Sequence, residues 1–209
     1  MKKLYVVAAS LFTLTLISAQ SISAVSANQT PVQNSQRPAA VLYEQVPSST
    51  SGIVSDILST GNYVTAADDF TLTGDVSAKK FSFVGFQNAA TLPTLNRGMM
   101  MYIYTDNGGK PSGKPGDANP YIAKIDLTQT STAFTITTPA AGYYVYNVDL
   151  VEAMGAAPTL ASGTKYWVVF APKLNLTGYS ATERWNWVAG TVNSDFAKLL
   201  DPADAFGAG

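Results

Sequence analysis

Apolar and polar positions alternate with a period of two through most of this chain, in short runs punctuated by Gly, Pro, Asn and Asp. That pattern predicts strands joined by turns rather than helices. Val41 to Val46 predicts a first strand; Phe70 and Leu72 share one face of a second. Phe81 and Phe83 share one face of a third, with Val84 and Phe86 opposite. Met99, Met101 and Ile103 alternate with Met100, Tyr102 and Tyr104, so this strand is apolar on both faces and belongs inside a sheet covered on both sides. Further strands are predicted over Tyr121 to Leu127, Phe134 to Thr138, Tyr143 to Leu150, Tyr166 to Ala171 and Arg184 to Ala189.

Turn chemistry separates these runs. Asp106-Asn107-Gly108-Gly109 ends the Met-rich strand, and Lys110 to Pro120, with three prolines and two glycines, predicts a surface loop. Helical patterning is confined to Val151 to Met154 and to a second short stretch near Ser194 to Leu200. The predicted fold is therefore all-β: an antiparallel, jelly-roll-like β-sandwich with one or two short helices. Its last residues, Leu199-Leu200-Asp201-Pro202 to Gly209, supply no closing strand by pattern. The chain is then truncated or the fold closes earlier, and an edge left open would invite strand-edge self-association.

The N-terminal pattern differs. Met1-Lys2-Lys3 precedes an apolar run from Leu4 to Ile17, the layout of a secretory signal peptide, too short for a spanning helix of about 18–20 residues. Cleavage after Ala19, Ala24 or Ala27 would remove it; Val25-Ser26-Ala27 is the preferred point, giving a signal peptide over 1–27. A Gln-, Asn- and Ser-rich leader over 28–38 comes next, then a single domain over 39–209. No membrane span is expected in the mature chain, which is expected to be secreted, extracellular or at the cell surface.

Composition narrows the chemistry. The chain has 209 residues and neither histidine nor cysteine, which removes Ser-His-Asp relays, Cys-His pairs, His- or Cys-bound zinc and disulfides. Without Lys2 and Lys3, 11 basic residues face 14 acidic ones, and a net charge of −3 gives no reason to expect nucleic acid as a partner. Carboxylate chemistry stays open. Asp68 and Asp69 point to opposite faces of an extended chain and read as a turn or strand start, and nothing local brings Glu152 and Glu183 together as an acid/base pair.

Two binding constellations remain. Trp185 and Trp187 lie two apart beside Tyr179, and an exposed aromatic strip of that kind suits a sugar ring, with Arg184 and Asn186 as polar contacts. The competing reading puts both indoles in the core. Tyr143, Tyr144, Tyr146, Tyr166 and Trp167 place aromatics on both faces of their strands, so some are expected at the surface or an interface. Asp106, Asn107 and Asp117, in or beside a Gly-rich loop, offer hard oxygen ligands for calcium, although a plain Asn-Gly turn explains Asp106 to Gly109 as well.

Ala67-Asp68-Asp69-Phe70-Thr71-Leu72, the run from Tyr102 to Pro111 and Leu160 to Trp167 together resemble a secreted bacterial β-sandwich module. Modules of this kind occur in extracellular and surface proteins with variable C-terminal anchors, including PEP-type and type IX sorting signals. The resemblance covers roughly 41–190 and implies a jelly-roll-like sandwich with no established catalytic residues. Three function classes are open: a secreted non-catalytic module recognising glycan or protein, a structural or assembly component of the cell surface or matrix, and a carboxylate-dependent hydrolase or lyase.

Overall fold

A strand buried on one face should repeat every second residue, yet the inward residues of the longest strand are Val76, Ala78, Phe81 and Phe83. Exposed Lys79 and Lys80 account for the change of phase, because the register with the neighbouring strand slips by one there. The extra residue is a β-bulge that returns the two phenylalanines after it to the core.

The computed structural model describes residues 20–26, 40–118, 120–191 and 195–202. In chain order the strands are β1 (Gln20–Ser26), β2 (Ala40–Gln45), β3 (Pro47–Val54), β4 (Asp56–Leu58), β5 (Tyr63–Thr71) and β6 (Val76–Phe86). Helix α1 (Leu92–Leu95) leads into β7 (Asn96–Thr105), β8 (Ala123–Thr128), β9 (Phe134–Ala140) and β10 (Tyr143–Asp149). Helix α2 (Leu150–Met154) precedes β11 (Thr159–Leu160), β12 (Lys165–Leu174), β13 (Asn186–Gly190) and β14 (Lys198–Leu200). One sheet runs β2-β1-β6-β10-β9, with β11, β13 and β3 attached beyond; the other runs β14-β5-β4-β12-β7-β8. All pairings between these strands are antiparallel except β4 with β12, so the fold is the expected antiparallel sandwich. Residues 1–19 and 28–38, expected as the body of the signal peptide and as the leader, lie outside the described residues; Gln20–Ser26, expected within the signal, is β1.

Aromatic rings fill the space between the sheets. Phe83 stacks on Phe170 at 4.1 Å, Trp187 meets Phe83 edge-on at 5.4 Å, and Trp185 meets Phe170 at 5.3 Å. Such offset and edge-on contacts suit the ring quadrupoles and add to the area buried. Gly85 makes room for this arrangement: a Cβ there would lie 2.0 Å from the Trp185 ring.

Strand β7 is apolar on both faces, as the alternation predicts. Met99, Met101 and Ile103 join the inner core, whereas Met100, Tyr102 and Tyr104 join Trp167 and Val169 in a second cluster on the outer face of their sheet. The predicted loop covers that face: Tyr63 donates its hydroxyl to the Pro115 carbonyl at 2.9 Å, and Tyr121 packs edge-on against Tyr102.

The predicted helix at Val151 to Met154 is α2, capped by Asp149 accepting the Glu152 N–H at 3.1 Å and ended by left-handed Gly155. The helix expected near Ser194 to Leu200 is not formed. Lys198–Leu200 is instead β14, paired with β5, so the sheet edge expected to lack a closing strand has one. A stretch that short gains more from bonding an open strand edge than from one turn of helix. Among the described residues no helix is long and apolar enough to cross a membrane.

Candidate functional site

Strand alternation on β5 sends neighbouring carboxylates to opposite tasks. Asp69 is fully buried, and its Oδ1 accepts the Asp195 N–H at 3.0 Å. Lys165, across the sheet on β12, has its Nζ 3.7 Å from Asp69 Oδ2 and 2.5 Å from Asp195 Oδ2. Lys165 stays protonated above its usual range, chiefly through the Asp195 hydrogen bond. These contacts pin the segment 195–197 against the edge of β5.

Asp68 faces the other way, into a cavity of about 270 Å³ at the edge of the sandwich. The hollow exists because the side chains around it are small: Ser51 and Gly52 from β3, Ala66 from β5, and Ala189 and Gly190 from β13. Trp187 closes part of the wall, and Gln45 and Thr191 add polar groups. Phe196, carried by the pinned segment, stands on its border with 75% of its surface exposed.

Burial pushes the Asp68 carboxyl up to about 6, opposed by the Asp69 N–H that it accepts at 3.0 Å and by the Gln45 side chain. At neutral pH it is an ionised acceptor in a partly apolar hollow, where hydrogen bonds from hydroxyl or amine donors are strengthened. The other lining carboxylate, Asp195, is held by Lys165.

No protein-family model, curated protein or solved structure matches this chain.

Of the two readings of the tryptophan pair, burial bears out the core one rather than an exposed strip. Trp185 and Trp187 are 0% and 4% exposed, and both pack against Phe170. Arg184, suggested as a polar contact for a ligand, is 6% exposed: its Nε donates to both Asp56 oxygens at 2.7 Å, and the Trp185 N–H also donates to that carboxylate at 3.0 Å. Burial raises the Asp56 carboxyl, with Arg184 acting against it. Asn186 is half-buried and donates its side-chain N–H to the Arg184 carbonyl at 3.2 Å. Tyr179 is exposed and does not line the cavity.

The residues suggested for calcium support turns. Asp106 accepts the Trp167 indole N–H at 2.7 Å and the Gly109 N–H at 3.1 Å. The indole bond is the main reason that its carboxyl lies below the usual range. The Asn107 N–H bonds the Lys110 carbonyl at 2.8 Å, and Asp117 accepts the Lys114 N–H at 3.3 Å. Glu152 bonds the Thr132 hydroxyl and Glu183 that of Ser180, each within its own neighbourhood. Among the described residues, no three acidic, histidine or cysteine side chains gather as a metal site.

Asp68, Gln45 and Phe196 are the residues that the sequence pattern did not single out as a group. The signal available was Asp68 itself, a charged residue on the side of β5 that also carries Ala66 and Phe70.

Proposed function

We propose that this protein is a secreted, non-catalytic binding module, and that it holds one hydroxyl-bearing group, such as a single sugar residue, at the edge cavity. The observation that carries this reading is the combination of Asp68, Gln45 and Phe196 around a hollow of about 270 Å³. A carboxylate and an amide supply acceptors and a donor for hydroxyls, and an exposed phenyl ring supplies a flat apolar face. The volume suits one ring better than an extended chain. Acid/base hydrolysis would need a second carboxyl group free to act, whereas Asp195 is tied to Lys165.

The basic start and apolar run from Leu4 to Ile17, laid out like a secretory signal, support the same compartment. The test is retention on a glycan array and on insoluble polysaccharides, with and without a chelator, of wild type, Phe196→Ala and Asp68→Asn. Phe196 is 75% exposed, so its removal is expected to leave the fold intact. At least a tenfold loss of retention is expected for Phe196→Ala, with no effect of the chelator. A folded wild type that is retained by no glycan refutes the glycan reading.

A second reading, assembly with other protein subunits, is favoured by β2, an edge strand whose Val41 is 57% exposed. A monomer at all concentrations in light scattering would remove its self-associating form.

A further inference from the structure

We propose that the signal peptide is cleaved after Ala19, so that Gln20 begins the exported protein and β1 is its first strand. The inference rests on the export reading above and decides among the three cleavage points present in the sequence. Strand β1 starts at the residue immediately after Ala19 and runs to Ser26. Cleavage after Ala24 would leave only Val25 and Ser26 of it, and cleavage after Ala27 would leave nothing.

Strand β1 occupies an interior position, between β2 and β6, and pairs with both. Gln20, Ser21 and Ile22 stand opposite Gln45, Glu44 and Tyr43 on one side, and opposite Phe83, Ser82 and Phe81 on the other. Among the described residues β2 pairs with no other strand. On the same side of β6, β13 reaches only Phe86 and Gly85. Removing β1 would therefore detach β2 and strip β6 of its neighbour from Val76 to Phe83, the stretch that carries Phe81 and Phe83 in the core. Backbone N–H and C=O groups at such a place need partners, and a long open edge is a template for unwanted pairing.

The sequence of the strand agrees. Ser21 and Ser23 alternate with Ile22 and Ala24, a period-two pattern that begins after the apolar run ends at Ile17. Cleavage after Ala19 still removes Lys2, Lys3 and that entire run. Gln20–Ser26 is patterned as part of the fold.

Expression of the full-length precursor in a bacterial host that secretes it, with N-terminal sequencing and intact-mass measurement of the product, tests the proposal. A chain beginning at Gln20 is expected. A chain beginning at Val25 or Asn28 overturns it while leaving export intact, and an unprocessed chain that keeps Met1 overturns export as well. The variant Ser21→Pro gives a second readout, since proline inside an interior strand removes a ladder bond. The exported variant should melt lower by at least about 5 °C. If the segment is removed on export, exported wild type and variant are the same molecule, and equal melting temperatures refute the proposal.

Discussion

Adding one methyl group at Gly85 tests the central packing of the sandwich. An ideal Cβ at this position lies 2.0 Å from both Cε2 and Cζ2 of Trp185 and 2.5 Å from its Nε1. Carbon atoms in contact sit about 3.5–4.0 Å apart, so the ring must retreat by roughly 1.5 Å. It has little room to do so, because Phe170 stands 5.3 Å away at 70° and Tyr146 stands 6.2 Å away at 86°. The Trp185 backbone is also tied to Asp56. Overpacking of a core costs about 1–3 kcal/mol, and Gly85→Ala is expected at the upper end, about 3 kcal/mol. Trp185→Leu removes the ring that the methyl group would strike, together with a buried indole N–H that has no hydrogen-bond partner among the described residues. In that background Gly85→Ala should cost less than about 1 kcal/mol, a coupling of about 2 kcal/mol between the two sites. Urea unfolding monitored by far-UV circular dichroism across the four-protein cycle measures it. Additive effects, or a Gly85→Ala cost below about 0.5 kcal/mol in the wild type, would refute the packing argument.

Two further outcomes concern buried charge. Asp56→Ala leaves Arg184 charged in the interior without its carboxylate and should cost about 3–5 kcal/mol, whereas Asp56→Leu with Arg184→Met should recover much of that loss in the same urea assay. Asp68 has a native pKa of about 6 against an ordinary 3.8, so the folded state binds the proton more tightly and stability from this group falls as pH rises between those values. Asp68→Asn should therefore be more stable than wild type by up to about 3 kcal/mol at pH 7 and equal to it near pH 3; a gain that grows toward acid would contradict the assignment.

Periodicity made the strands legible wherever burial alternates simply. Met99 to Tyr104 is the clearest case, because six consecutive apolar residues at strand spacing require two covered faces, and the structure covers both. The tryptophans were harder to place, since two indoles two apart look the same on a core face and on an exposed one. The discriminating residue was Gly85, whose missing side chain inside an apolar strand marks the close approach of another group. Arg184 looks like a free polar contact in the sequence because its partner, Asp56, is 128 positions away and no local pattern announces the pair. The cavity was illegible for a related reason. It arises where β5 meets a segment more than 120 residues later, and its volume reflects small residues drawn from three strands.

The burial of β7 also bears on the sulfur chemistry of the chain. Of five methionines and no cysteines, Met99, Met100 and Met101 lie at 0%, 7% and 0% exposure, while Met154 at the end of α2 is 39% exposed. The fifth, Met1, lies outside the described residues. An oxidant in the surrounding solvent can reach the thioether of Met154, and converting it to the sulfoxide would alter one helix end rather than the core. Strand packing thus shields the three methionines of β7 from solvent, and a first sign of unfolding under peroxide would be sulfoxide at these positions.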